Sequence, residues 1–431
     1  MRLPACLALL LLAACGGESG PAAEPPATPA ENDPAYTIVG VDGWYLIGNA
    51  LTPGQDTLTA RVTAPAGTGF VDAWLDGGPG VRLHDQSDGF YLQTELGDLG
   101  PGPHELLFAA DGADVAFARV EFQRTHPLYV LATTDWDYSD AGQAAMDFHD
   151  DVHADHPDLM ITHFIGPYTF TDPALSAARV TEIVDWAKRM RDQHGDEIGL
   201  HIHPYCHFVE YAGVTCNTDD SLVYESDTSG YSVGLFAYGE QDFGTLLRTA
   251  DTLFEDHGLG KPVTFRAGAW TATIDVLRAL ADDGFVADTS AVHWAKLEEW
   301  IPELGSAWTL YQWNMAQWSS IGATSQPYYP NDGDVLSSAG PTLSILEVPD
   351  NAAMVDYVSV EEMNEVFTAN WDGTALEAPR TLMMGWHPSP QFAYGPRVQG
   401  LFTITDRFQA QHHDGPVVYA LLRDMPTVFG R

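Results

Sequence analysis

Two hydrophobic patterns divide this chain. Between residues 35 and 125, short runs alternate apolar and polar positions, as in Thr57-Leu58-Thr59-Ala60-Arg61-Val62, Tyr36 to Val41 and Val115 to Val120. Clusters of Gly, Pro and Asp separate them, and a period of two between turn signals predicts short half-buried strands. From residue 126 to 431 the texture changes. Apolar runs at Leu128–Thr133, Leu159–Phe164, Ile198–Ile202, Val263–Arg266, Phe285–Asp288, Leu343–Val348 and Thr381–Trp386 predict buried strands. Stretches with apolar residues three and four apart, at Asp140–His156, Pro173–His194, Asp242–Glu255 and Thr273–Asp283, predict helices between them. Strands alternating with helices give a parallel sheet covered by helices. Six or seven such repeats predict an α/β fold, a distorted or incomplete (β/α) barrel.

The first 34 residues carry neither pattern. Arg2 precedes the apolar run Leu7 to Leu12, and Leu12-Ala13-Ala14-Cys15-Gly16 follows. So short a run cannot span a bilayer, and small residues at its end mark a leader peptide. The segment resembles the leaders of bacterial lipoproteins, in which the cysteine is lipidated. The expectation is therefore a leader and lipidated Cys15 over residues 1–15, then a Pro-, Ala- and Gly-rich disordered tether over 16–34. The 35–125 region has the size and strand spacing of a small all-β immunoglobulin-like sandwich, preceding the barrel of residues 126–431. Such a protein is exported and held by its lipid anchor alone, at the outer membrane or cell surface.

Charge narrows the partners. Sixty acids against nineteen bases give a formal charge of -41, with lysine only at 188, 261 and 296. A field of that sign repels nucleic acid and anionic membrane surfaces and attracts cations. Of the four cysteines, Cys6 lies in the leader and Cys15 in the anchor. Cys206 and Cys216, ten positions apart in an exported chain, are expected to pair.

Barrel enzymes place their chemistry at the C-terminal ends of the strands. Here those ends carry Asp135-Trp136-Asp137, His201-Ile202-His203, Arg266, Asp288 and His387. A carboxylate with two imidazoles is a common ligand set for a catalytic zinc that keeps a position open for water. Two residues apart on a strand, His201 and His203 share a face and reach one ion. A second carboxylate serves as general base, and a histidine from another strand as acid.

In their order, Thr-Asp-x-Asp, Glu-Ile-Gly-x-His, Phe-Arg-Ala-Gly-x-Trp, a strand with Asp, Leu-Glu-Val-Pro and His-Pro, these motifs resemble the polysaccharide deacetylases of carbohydrate esterase family four over about residues 127–420. The resemblance implies a metal-dependent hydrolase that removes N- or O-linked acetyl groups from an extracellular or cell-envelope polysaccharide. It implies Asp135 as catalytic base, Asp137 and His201 as metal ligands, and Arg266 as the cation that keeps the base ionised. It implies His387 as general acid tuned by Asp288, Trp270 as a groove wall, Tyr205 or a nearby amide at the oxyanion, and Tyr328 on a substrate-side loop. The ion is divalent: zinc first, with cobalt, nickel or manganese as the other choices. Two departures leave roles open. Trp136 separates aspartates that are adjacent in the family, so Asp135 and Asp137 could exchange roles. The second histidine is His203 by strand geometry, with His207 as the alternative. A catalytically degenerate, carbohydrate-binding envelope lipoprotein and a metal-dependent amidohydrolase on a non-sugar substrate are the competing readings. A second histidine group, His149, His153, His156 and His163, reads as a solvated helix face before it reads as another metal site.

Overall fold

The structure is a computed structural model that describes residues 24–219, 222, 228–300, 308–356, 358–389 and 393–430. The expected leader, Cys15 and the first part of the tether lie outside these residues. The chain forms two compact units, one comprising residues up to 41, 57–95 and 104–122, the other 42–56, 96–103 and 123–431.

The first unit is built on antiparallel pairing. Strands Thr37–Val39, Thr57–Thr63, Gly89–Glu95 and His84–Gln86 lie side by side in that order. Leu58, Ala60 and Val62 are buried while Thr57, Thr59 and Thr63 face out, which is the period-two pattern expected of a sheet with one wet face. Val71–Leu75 belongs to another sheet, paired antiparallel with Val81–Arg82 and Gly102–Ala110. The strand expected at Val115–Val120 begins instead at Ala118, because Val115 is taken up in a bridge with Ala27. Ala27 also bonds Asp114 and Ala116, and the Asn32 amide bonds the Arg119 backbone both ways. The described part of the expected tether is thus tied down by polar bonds, which leave no hydrophobic period to read.

The second unit is the α/β part. Its strands are β1 (Leu128–Asp135), β2 (Ile161–Ile165), β3 (Glu197–Ile202), β4 (Thr264–Ala267), β5 (Ala287–Asp288), β6 (Leu346–Glu347), β7 (Arg380–Trp386) and β8 (Val417–Tyr419). All pair in parallel, in the order β6-β5-β4-β3-β2-β1-β7, and β8 lies against the start of β1. Between β6 and β7 an irregular segment takes the place of a ladder. Met354 bridges Gly385, Val355 N–H donates to the Gly385 carbonyl, and the fully buried Asn351 side chain accepts from Met383 N–H and donates to the Thr381 carbonyl.

Helices follow the strands and bury one stripe each. Glu240–Asp256 buries Phe243, Leu246, Leu247, Ala250, Leu253 and Phe254, the three-and-four spacing of an amphipathic helix. Ala177–Arg189 starts at a Ser176 cap, and Ile274–Asp283 starts at Thr273 and stops at Gly284, whose φ of +92° suits glycine. Each fully buried Leu or Phe in these stripes stabilises the packing by about 1.5–3 kcal/mol. Within the described residues no helix is long and apolar enough to cross a membrane.

Alternation along the strands separates two interiors. Tyr129, Leu131, Phe164, Leu346 and Met383 belong to one apolar cluster, and the sheet-to-helix layer to a larger one. Gly199 makes the inner packing workable: a Cβ there would stand 2.6 Å from the Phe164 ring.

Candidate metal centre

The inner faces of β1, β3, β4 and β7 end in polar residues. On β1, Asp135 is the last strand residue, and Trp136 N–H extends the ladder by donating to the Phe164 carbonyl at 3.0 Å. Trp136 is fully buried, its ring 4.9 Å from that of Trp186 on a covering helix, so Asp137 returns to the side of Asp135. The intervening tryptophan is how this chain presents two carboxylates on one face. On β3 the same alternation aligns Gly199, His201 and His203.

Asp137, His201 and His203 converge, with one potential ligand atom from each within 4.8 Å of the others. His201 Nδ1 donates to the Arg266 carbonyl at 2.9 Å, and His203 Nδ1 donates to the Tyr231 carbonyl at 3.0 Å. In the neutral imidazoles those bonds leave Nε2 bare on both rings. The two Nε2 atoms stand 3.2 and 3.3 Å from Asp137 Oδ1, and His203 Nε2 is buried without a hydrogen-bond donor. Three lone pairs directed at one point repel one another, and a cation among them turns the conflict into coordination. The residues therefore fit a divalent metal of the kind that takes nitrogen and oxygen ligands. His207, the alternative second histidine, bonds the Thr171 hydroxyl and is not in this group. The Asp137 and His387 side chains keep 17% and 18% exposure, so solvent reaches the centre.

Beside the centre, Arg266 is fully buried. Its guanidinium donates to Asp135 Oδ1 and to Thr133 Oγ1, each at 2.9 Å, and lies 3.7 Å from Asp350. Trp270, also buried, donates its indole N–H to the same Asp350 and meets His387 edge-on at 6.5 Å. Ala269 and Trp270 both take left-handed backbone angles, φ +53° and +55°, a conformation that non-glycine residues hold only when the surroundings impose it.

His387 Nε2 lies 3.9 Å from Asp137 Oδ1, and its Nδ1 lies 2.9 Å from Asp356. Burial disfavours its charged form, but Asp137, Asp356 and Asp135 outweigh burial and push its pKa up to about 10. Burial likewise opposes the charge on Asp137, and the neighbouring His387 outweighs it, holding that carboxyl well below the usual range. The expected partnership of His387 with Asp288 is not what the fold builds. Asp288 is buried, accepting from the hydroxyl and N–H of Ser290, with the Glu347 carboxyl as its electrostatic neighbour. Burial raises both carboxyls, and Asp288 raises Glu347 further.

The other sequence candidates are placed as follows. Tyr205 donates its hydroxyl to the Asp137 backbone carbonyl and its amide to the His203 carbonyl, so both of these bonds are with main chain and neither touches a ligand atom. Tyr328 donates to the Val335 carbonyl inside a packed turn, with burial and then Glu347 and Asp288 raising its phenol. Cys206 and Cys216 are joined in a disulfide. His149, His153, His156 and His163 are buried rather than solvated. His153 and His163 both bond Asp196 Oδ2, at 2.9 and 3.0 Å, and Thr134 bonds the far side of His163. His156 is held by Asp406 and Gln399. They do not form a second metal group among the described residues. Asp350, Asp356 and Tyr231 complete the site without having been singled out by motif. Asp350 alone had a signal, standing directly after Leu346-Glu347-Val348-Pro349.

No protein-family model matches the chain, and no curated protein matches it. Solved structures do. A putative polysaccharide deacetylase from Mycobacterium smegmatis aligns at 15% identity and a TM-score of 0.42, over 69% of this chain and 88% of that one. The chitin deacetylase of Colletotrichum lindemuthianum aligns at 12% and 0.36 over 70% and 88%. The 4-alpha-glucanotransferase of Thermococcus litoralis aligns at 7% and 0.38 over 70% and 40%. At these identities and scores, none of the likenesses says what this chain does.

Proposed function

We propose that this protein is a metal-dependent hydrolase that removes acetyl groups from a polysaccharide outside the cell or in its envelope. One observation carries the reading: two buried imidazoles, each with its Nδ1 proton committed to a backbone carbonyl, aim bare Nε2 atoms at one carboxylate oxygen. Asp137, His201 and His203 would hold the ion. A bound divalent metal lowers the pKa of its water and polarises a carbonyl oxygen. Asp135, held by Arg266 at 2.9 Å, would accept the proton of the attacking water. His387, oriented by Asp356, gives a proton to the departing amine or alcohol. The acetylated-sugar substrate follows from the motif order that resembles the polysaccharide deacetylases. Anchorage through Cys15, at the outer membrane or cell surface, follows from the lipobox-like Leu12 to Gly16.

The test measures bound metal and acetate release by the full chain on acetylated oligosaccharides. Zinc or a similar ion at one equivalent, lost in His201→Ala, with acetate release abolished in Asp135→Ala and His387→Ala, is the expected result. Sugar binding without turnover in the metal-loaded wild type would replace this reading with a binding protein.

A further inference from the structure

We infer that Tyr231 is a positioning residue for the metal centre, one that sets both the rotation of the Asp137 carboxylate and the tautomer of His203. This rests on the metal-centre reading above and adds to it a residue that lies outside every motif in the sequence. Three contacts converge. The Tyr231 hydroxyl donates to Asp137 Oδ2 at 3.0 Å, while Asp137 Oδ1 lies 3.2 and 3.3 Å from the Nε2 atoms of His201 and His203. The Tyr231 carbonyl accepts the Nδ1 proton of His203, which is what leaves Nε2 bare. The Tyr231 ring stacks on the His203 ring, centroids 4.5 Å apart and planes 25° off parallel.

The segment that carries Tyr231 is locked to the chain just after His203. Cys206 N–H donates to the Ser229 carbonyl at 2.6 Å, and Tyr231 N–H donates to the Ser229 hydroxyl at 3.2 Å. Gly230 has a φ of +87° and lies so close that a Cβ would stand 2.4 Å from the Pro204 carbonyl oxygen. The disulfide fixes Cys206 from the other side. Clamp and ligand are therefore carried on one braced unit. Partners of this kind, bonding a metal's ligands from outside, change metal affinity by about 10–100-fold when removed.

The experiment titrates zinc into metal-free full-length protein, in competition with a chromophoric chelator, for wild type, Tyr231→Phe and Tyr205→Phe. Phenylalanine keeps the ring stack and the carbonyl and deletes only the hydroxyl. Tyr205→Phe deletes a hydroxyl that bonds the Asp137 carbonyl rather than its carboxylate. Tyr231→Phe should bind zinc at least tenfold more weakly with the melting temperature of the metal-free protein unchanged, and Tyr205→Phe should stay within about threefold of wild type. Equal affinity of wild type and Tyr231→Phe, or equal losses in both variants, overturns the role of Tyr231 while leaving the metal centre standing. Wild type that binds no zinc overturns the centre itself, and the inference with it.

Discussion

Replacing Arg266 by methionine puts a number on the charge arrangement beside the centre. The guanidinium is fully buried, 2.9 Å from Asp135 and 3.7 Å from Asp350, with further bonds to Thr133 and Thr289. Methionine fills much of the volume and leaves two buried carboxylates with no cation between them. Removing one partner of a buried ion pair costs about 3–5 kcal/mol. At ~2.1 cal/mol/K per residue, a cooperative unit of roughly 300 residues loses about 5–8 °C of melting temperature for that cost. The sign with pH is fixed as well. Burial raises the Asp350 carboxyl and Arg266 opposes that, so without Arg266 its folded pKa stands further above the unfolded one, and the deficit is largest at neutral pH and shrinks as pH falls and it takes up a proton. Scanning calorimetry at pH 8 and pH 5 on wild type, Arg266→Met and Arg266→Met/Asp135→Asn checks this. The double variant should recover much of the loss at pH 8. A single variant as stable as wild type at pH 8, or equally impaired at both pH values, refutes the assignment of Arg266 as the counter-ion of these carboxylates.

Two further outcomes follow from the titrating groups. His387, pushed up to about 10 in the metal-free protein, contributes stability that is complete below the unfolded value of about 6.5 and disappears as pH rises through about 10. Asp356→Asn should bring its titration down toward the free-histidine range, read by NMR of the ring; an unmoved titration removes Asp356 as its partner. His149 and His163 go the other way, held down chiefly by burial, so their contribution is complete above about pH 6.5 and lost as pH falls through it. Urea midpoints measured from pH 7.5 to 5 should therefore fall, and fall less in His149→Phe; identical slopes would count against this.

Strands β1 to β7 were legible because each is a short apolar run bounded by turn residues, and β1, β3 and β7 begin and end within two residues of the expectation. The helices Val360–Asn370 and Gly395–Thr405 and the strand Val417–Tyr419 were not. The first follows an irregular stretch, Gly395–Thr405 carries a glycine at 400, and a three-residue strand is too short to show a period. The centre was legible where a ligand lies on a strand, as His201 does, since alternation fixes its face. Asp356 and Tyr231 lie on connections, where no period says which way a side chain points. The histidines between sheet and helices show the limit from the other side. Polar letters on a helix read as solvated, and nothing local in the sequence announces the buried Asp196 that accepts from two of them.

The stretch between β6 and β7 gives the barrel a direction in which to breathe. Elsewhere neighbouring strands are laced by backbone ladders, but here one primary amide, that of Asn351, stands in for part of a strand. Opening there breaks side-chain and isolated backbone bonds rather than a continuous ladder, so amide exchange at Met383 and Gly385 should outpace exchange at Thr134 in the β1–β2 ladder. Asp356 and His387 stand on the two lips of that gap. The proton donor of the proposed reaction is thus mounted beside the gap, and Asp135 and His201 on strands paired on both sides.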